Sequence, residues 1–312
     1  MKTPITSPDG TPLSPFAFGA MQFGGAADHA QSRAMYDACR AAGINFFDTA
    51  HNYTEGASER FLGEFAAPER DKLVIATKHD FPNGAAPDVI RRSMDESLGR
   101  LGMDSVDIFY LHRWDDDTPL EQTFEALAKE QQAGRFRHIG VSNFAAWQVM
   151  KAESVARALG TTIAMIQPMY NLVKRQVEVE ILPMARSEGY AVVPYSPLGG
   201  GLLTGKYGNG GGAGRLKESA MYSSRYSQQW MYDTAAALTD LAREIGENPI
   251  TLAVAWAARH PDITAPIISG RTVEQLQPSL NAMSFDMDDA LYARITALSP
   301  TPAPATDRLE EA

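Results

Sequence analysis

Leu73-Val74-Ile75-Ala76-Thr77-Lys78, then a stretch carrying Ile90, Met94, Leu98 and Leu101, then Val106-Asp107-Ile108-Phe109-Tyr110-Leu111, decide how this chain folds. The two outer runs are short, apolar and rich in Val, Ile and Phe, without strict alternation. Such runs suit parallel strands buried on both faces. Ile90, Met94, Leu98 and Leu101 recur at spacings of four, four and three, on one face of a helix. Gly102 closes that helix, because glycine tolerates the left-handed conformation. The unit is strand, helix, parallel strand.

The same rhythm runs along the whole chain. Further strands are expected at Phe16–Ala20, Ile44–Asp48, His138–Ser142, Ile163–Gln167, Ala191–Tyr195 and Pro266–Ser269. Gly43, Gly134, Gly160 and Gly189 mark further helix ends, and Leu238, Leu241 and Ile245 mark another apolar face. Thr118-Pro119-Leu120-Glu121 reads as a helix start, with Thr118 as N-cap and Glu121 completing a capping box. Asn248-Pro249 is a similar start. An α/β chain of repeated βα units suggests a (β/α)8 TIM barrel, with a doubly wound open sheet as the rival. No composition break splits the chain, so residues 1–312 read as one domain. About 70 residues separate the seventh strand from the eighth, which implies a long loop and extra helices. The tail, 300–312, is Pro/Ala-rich and then charged, and reads as a frayed, flexible end.

Composition narrows the function. The chain has 312 residues, with 28 Lys+Arg against 38 Asp+Glu, a net charge of −10. That balance excludes a general nucleic-acid or anionic-membrane binder, though not a local pocket for one phosphate. The single Cys39 excludes an intramolecular disulfide and a Cys-pair zinc site. No apolar run approaches the roughly 18 residues of a membrane span, and the N-terminus lacks the apolar core of a secretory signal. A reduced, cytoplasmic compartment is the expectation. The sequence does not fix an oligomeric state.

In a parallel barrel, catalytic groups sit at the C-terminal ends of strands and in the loops beyond them. A polar residue stands at nearly every such end: Asp48, Lys78, His112, Ser142-Asn143, Gln167, Tyr195-Ser196 and Ser269, with Tyr53 five residues past Asp48. Each has an ordinary structural reading. Asp48 could cap a turn, Lys78 could be a solvated charge, Tyr53 a surface aromatic and His112 a satisfied core histidine. As a set they suit one chemistry. A phenol of pKa about 10 is a poor acid at neutral pH, and a nearby ammonium held by a carboxylate lowers it. A histidine alongside can orient a carbonyl oxygen. Asp48, Tyr53, Lys78 and His112 would then protonate a C=O oxygen as a hydride reaches its carbon.

The sequence resembles the aldo-keto reductases from Gly19 to about Leu280. Asn45-Phe46-Phe47-Asp48-Thr49-Ala50-His51-Asn52-Tyr53 with Ser58-Glu59 is similar to the family's first signature. Ile75–Lys78, Asp107–His112, Gly140–Phe144 and Tyr195–Leu198 resemble its later segments. The resemblance implies a (β/α)8 barrel that uses NADPH/NADP+ to reduce the carbonyl of a small aldehyde or ketone. It makes Tyr53 the general acid, Lys78 and Asp48 the ion pair that tunes it, and His112 the group orienting the carbonyl. It assigns Ser142, Asn143 and Gln167 to the nicotinamide carboxamide and Tyr195 to stacking on the ring. Ser196, Leu198 and Lys206 fall beside the pyrophosphate. Ser269 and Arg271 fall by the 2′-phosphate, and Gln275 by the adenine. Trp114 would wall the substrate pocket with Tyr53 and His112, and Tyr222 and Tyr226 hint at further aromatic walls. A small polar aldehyde, sugar-derived or pyridoxal-like, is the expected substrate. The chain departs from relatives in having Ile268-Ser269-Gly270 where Pro-Gly-Ala is common, and Ser279 where Asn is common.

Other motifs mislead. Gly200-x-x-x-x-Gly205-Lys206 fits a P-loop until Tyr207 replaces the magnesium-binding hydroxyl. Gly208–Gly214 echoes a dinucleotide motif but follows no strand, and reads as a flap near the cofactor. Asp115-Asp116-Asp117 reads as a solvated loop, and no His-x-His pair supports a metal site. The competing functions are an NADPH-binding regulatory subunit resembling channel-associated β subunits, and a barrel hydrolase or lyase using Asp48 and His112. A long interaction segment before the first strand would favour the regulatory subunit, and none is expected here.

Overall fold

The computed structural model describes residues 4–208, 212–308 and 310. Eight parallel strands run β1 (Ala17–Gly19), β2 (Phe46–Asp48), β3 (Val74–Lys78), β4 (Val106–Leu111), β5 (Phe136–Ser142), β6 (Ile163–Gln167), β7 (Ala191–Val192) and β8 (Ile267–Ile268). They are ordered β7-β6-β5-β4-β3-β2-β1-β8. Backbone hydrogen bonds from Thr264 N–H to Val192 O (2.8 Å) and from Ile267 N–H to Pro194 O (2.9 Å) join the two ends. The sheet therefore closes into the barrel, and the open-sheet alternative fails.

Helices α1 (His29–Ala41), α2 (Ala57–Ala66), α3 (Pro87–Leu101), α4 (Leu120–Gln132), α5 (Ala146–Ala158) and α6 (Ile181–Glu188) each follow a strand. The segment between β7 and β8 holds α7 (Arg215–Glu218), α8 (Ala220–Arg225), α9 (Gln229–Ile245) and α10 (Pro249–Arg259). After β8 come α11 (Val273–Asn281) and α12 (Asp289–Thr296). Ile90, Met94, Leu98 and Leu101 are all buried, as their spacing requires. Asn248 caps α10 by accepting from Ile250 N–H. Among the described residues no helix is long and apolar enough to cross a membrane. Thr301–Arg308 form no helix or strand, while residues 309, 311 and 312 of the tail and 209–211 of the glycine-rich segment lie outside the described residues.

Two local expectations need correction. Thr118 does not cap α4. Its hydroxyl bonds to the Asp115 carboxylate instead, and Pro119 takes the cap position without a side-chain bond. The seventh strand stops at Val192 because Pro194 has no N–H to continue the ladder.

Two apolar clusters fill the fold. The larger lies between strands and helices and includes Phe47, Ile75, Phe109, Val141, Val192 and Ile268. The smaller fills the barrel and includes Ala17, Phe46, Ala76, Tyr110, Met165, Val193 and Ile267. Strand side chains alternate between the two. Ile5 and Leu13 pack on the inner cluster from the N-terminal segment. Arg137 donates to Thr6 O (2.6 Å), and Asn45 donates to Pro12 O (2.9 Å). Both donors stand at the N-terminal ends of strands, so this segment closes the barrel floor and leaves the opposite end open.

α2 and α3 touch where Gly63 meets Leu101. A Cβ on Gly63 would lie 2.1 Å from Leu101 O. Alanine normally improves a helix interior over glycine by about 1 kcal/mol. Here the clash is with backbone, so Gly63→Ala should lose about 1–3 kcal/mol net. Thermal unfolding reads the result, and a raised midpoint would refute the close approach.

Candidate active site

The inner cluster dictates which residues reach the open end. One two-residue step beyond an interior side chain lies the next inward position on the same strand. From Ala17 the step reaches Gly19; from Phe46, Asp48; from Ala76, Lys78; from Tyr110, His112. From Gly140 it reaches Ser142; from Met165, Gln167; from Val193, Tyr195; from Ile267, Ser269. Gly140 belongs to this interior set because a Cβ there would meet the Tyr110 ring at 2.3 Å. The polar strand ends therefore converge on one rim.

Lys78 is fully buried and its ammonium donates to the Asp48 carboxylate and to Thr49 O (2.7 Å). Gln167 Nε2 donates to the other Asp48 oxygen at 2.9 Å. Burial pulls the Lys78 ammonium below its usual value, and Asp48 opposes that. Lys78 Nζ also lies 5.2 Å from the centre of the Tyr53 ring. The expected lowering of the phenol is not seen. Burial first, and then the Asp48 charge, push Tyr53 well above its ordinary pKa, with Arg215 pulling the other way. Tyr53 is consequently a phenol that holds its proton.

His112 meets Tyr53 edge to face, with ring centres 5.8 Å apart. Burial, Lys78 and His79 hold its imidazole well below the usual histidine pKa, so it is neutral. His79 Nδ1 accepts the His112 N–H at 2.9 Å. That short bond makes Nδ1 an acceptor, so the more distant Tyr110 O (3.4 Å) receives no proton from it. Asn143 ties the far side together. It donates to His112 O (2.9 Å) and Ser142 Oγ (3.0 Å), and accepts from Tyr195 OH (2.6 Å). Ser142 Oγ donates to Gln167 O at 2.9 Å.

Tyr53 is carried by a loop. The next two residues, Thr54 and Glu55, have φ of +46° and +54°, a region that non-glycine residues rarely enter. Thr54 Oγ1 donates to Phe23 O at 2.7 Å, which pins the turn. The buried Glu59 then accepts from Thr77 Oγ1 (2.6 Å) and from Arg100 Nη1 (3.2 Å), and Arg100 donates to His51 O (2.9 Å). Glu59 thus links the Tyr53 loop to the strand bearing Lys78. Glu59 stands in the signature around Tyr53, but nothing in its sequence context marks this role.

A cavity of about 1080 Å³ opens over these groups. Its lining includes Asp48, Tyr53, His112, Ser142, Asn143, Gln167, Tyr195, Ser196, Leu198, Lys206, Ser269, Arg271 and Gln275. Lys78 lies below it. Trp114 is not part of the lining; it stands against Phe144 and Trp147, with ring centres 5.3 and 5.6 Å away. Tyr222 lines the cavity, whereas Tyr226 is fully buried. Phe81, Arg113, Arg215 and Arg225 also line it and were missed as site residues. They sit in loops or short helices, where periodicity gives no direction. Among the described residues the lining holds five cations, Arg113, Lys206, Arg215, Arg225 and Arg271, and one carboxylate, Asp48, already paired with Lys78. Arg271 lies just before α11, whose N-cap is Thr272.

A profile described as the Aldo/keto reductase family matches residues 15–300. The chain belongs to the aldo/keto reductase family. It is similar to the uncharacterized oxidoreductase YrpG of Bacillus subtilis, 34% identical over 95% of each chain. It is 34% identical to a probable voltage-gated potassium channel subunit beta of Oryza sativa, over 88% of each chain. It is 33% identical to the aflatoxin B1 aldehyde reductase member 2 of Rattus norvegicus, over 88% of this chain and 81% of that one. Family relatives include oxidoreductases acting on carbonyl compounds.

Burial pulls His79 down to about 4, from 6.5. Above pH 6.5 both folded and unfolded chains hold it neutral. Between pH 6.5 and 4 only the unfolded chain takes the proton, so stability must fall across that window, by about 3 kcal/mol in all. Urea unfolding at several pH values should show that slope in this aldo/keto reductase and a smaller one in His79→Asn. An equal slope in both would sink the assignment.

Proposed function

We propose that the chain is an NADPH-dependent reductase of small aldehydes or ketones, with Tyr53 as general acid. The observation that carries this is the buried Lys78–Asp48 pair set under the Tyr53 ring, at one end of a cavity otherwise lined by cations. The dinucleotide fits this chemistry. Its phosphates carry several negative charges, and Lys206, Arg215 and Arg271 face the cavity to meet them. Arg271 beside the start of α11 suits a 2′-phosphate, which favours NADPH over NADH. Ser142, Asn143 and Gln167 suit the nicotinamide carboxamide, Tyr195 the ring face, Ser196 and Leu198 the pyrophosphate, Ser269 the 2′-phosphate and Gln275 the adenine.

When bound, the cofactor supplies the hydride. The remaining work falls to the chain. His112, as a neutral imidazole, donates a hydrogen bond that orients the carbonyl oxygen. Tyr53 keeps its proton until charge builds on that oxygen, because an alkoxide is a stronger base than a phenolate. The proton then passes from the phenol, and the Lys78 cation beneath the ring steadies the phenolate left behind. Asp48 and Gln167 hold Lys78 in place. The acidic balance and lone Cys39 suit a reduced cytoplasmic setting.

A second reading, cofactor-dependent regulation of a partner, draws support from the rice relative's name. Loss of NADPH absorbance on adding an aldehyde favours the reductase, and no loss across aldehydes, ketones and aldoses favours the regulator. Tyr53→Phe should retain NADPH binding in a fluorescence titration while turnover drops roughly 10²–10⁴-fold. Undiminished turnover would remove Tyr53 as the acid. Arg271→Gln should weaken NADPH about tenfold and NADH little, since only the former offers a second phosphate to the fork; equal effects on both would refute the 2′-phosphate assignment.

A further inference from the structure

Three of the cavity's five cations have a natural common partner. A Cβ on Gly214 would lie 2.5 Å from Lys206 Nζ, which puts that ammonium beside Arg215. Arg271 approaches Glu218 of the same helix α7 at 3.8 Å. Lys206 and Arg271 therefore flank α7, where the dinucleotide's phosphates are proposed to lie, and Arg215 starts that helix with its guanidinium carbon 5.4 Å from the centre of the Tyr222 ring. Arg113 and Arg225 are left over.

Arg113 follows His112 in the loop after β4 and lines the cavity. Three acids follow it closely, yet none neutralises it. Asp115 accepts from Ala85 N–H (2.8 Å) and Asp117 N–H (3.0 Å), and Asp116 accepts from Trp114 Nε1 (2.7 Å). Among the described residues no carboxylate lies within ion-pair distance of Arg113 or Arg225. This is unusual in a chain with 38 acidic against 28 basic residues, where most arginines are paired. Arg225 lies over the Tyr222 ring, its guanidinium carbon 5.3 Å from the centre, and Tyr222 lines the cavity. Arg215 lies over the same ring at 5.4 Å, so the two sets of cations meet at Tyr222. Burial pushes the neighbouring Tyr195 up to about 12, and the Arg225 charge is the first force opposing it. Phe81, 4.9 Å from His112 ring to ring, adds an apolar surface to the same cavity.

Resting on the reductase reading, we propose that the carbonyl substrate carries an anionic group, a carboxylate or a phosphate monoester, held by Arg113 and Arg225 at the catalytic end of the cavity. Planar guanidinium forks match both groups, and both arginines have donors to spare. The cations thus serve two ligands: one set for the dinucleotide, one for the compound reduced. An uncharged aldehyde would leave the second set unanswered.

The test compares matched pairs with NADPH: 4-oxobutanoate against its methyl ester, and glyceraldehyde 3-phosphate against glyceraldehyde. The anionic member should be preferred roughly tenfold or more in kcat/KM in at least one pair, mainly through KM. The pair with the larger ratio identifies the anionic group. Arg113→Gln and Arg225→Gln should each shrink that ratio about fivefold or more, and added salt should shrink it in the parent enzyme. Ratios near one in both pairs, or ratios unmoved by both substitutions, overturn the inference while leaving carbonyl reduction intact. Failure to reduce any of the four compounds would instead overturn the reductase reading, and this inference with it.

Discussion

A fully buried ammonium has to be answered where it sits. Taking one charge out of water costs several kcal/mol even after relaxation. Lys78 is answered by the Asp48 carboxylate and the Thr49 carbonyl, and Asp48 is answered in turn by Gln167. Asp48 and Lys78 stand at the ends of the adjacent strands β2 and β3, while Gln167 reaches Asp48 from β6 across the barrel. The Tyr53 end of the cavity is built around that contact. It lies beneath the Tyr53 ring, adds the Lys78 charge to the burial that keeps His112 neutral, and engages Asp48, the one acidic group among the described residues of the lining.

Around that pair the supports are layered. His79 holds the His112 backbone from below, and Asn143 holds it from the side while also receiving the Tyr195 hydroxyl. Glu59 and Arg100 bind the Tyr53 loop to β3 and α3. The inward residues on strands are placed by barrel geometry alone. Tyr53, on a loop, needs this separate brace.

That division also explains what the sequence could reveal. Asp48, Lys78, His112, Ser142, Gln167, Tyr195 and Ser269 were legible because strand parity and the strand ends placed them together. Tyr53 was legible through its spacing from Asp48 and the signature around it. The direction of its proton affinity was not, because a sequence does not say how deeply the phenol is buried. Trp114 was misdirected: adjacency to His112 suggests a shared pocket, yet the loop turns its indole toward Trp147. Thr118 had an ideal capping sequence and lost its hydroxyl to Asp115. Arg113, Arg215 and Arg225 carried no periodic signal, since only the folded loops decide which way their long side chains point.

Thr54 and Glu55 give the Tyr53 loop a peculiar character. Two ordinary residues in succession sit in a backbone region that costs about 1–3 kcal/mol each. Glycine would occupy it freely, but glycine would also let the turn relax into many shapes. The chain instead keeps a tense hinge that has one acceptable shape, clamped by Thr54 to Phe23. Robustness and aim are therefore set against each other at this corner: a calmer backbone here would make a sturdier barrel with a wandering phenol.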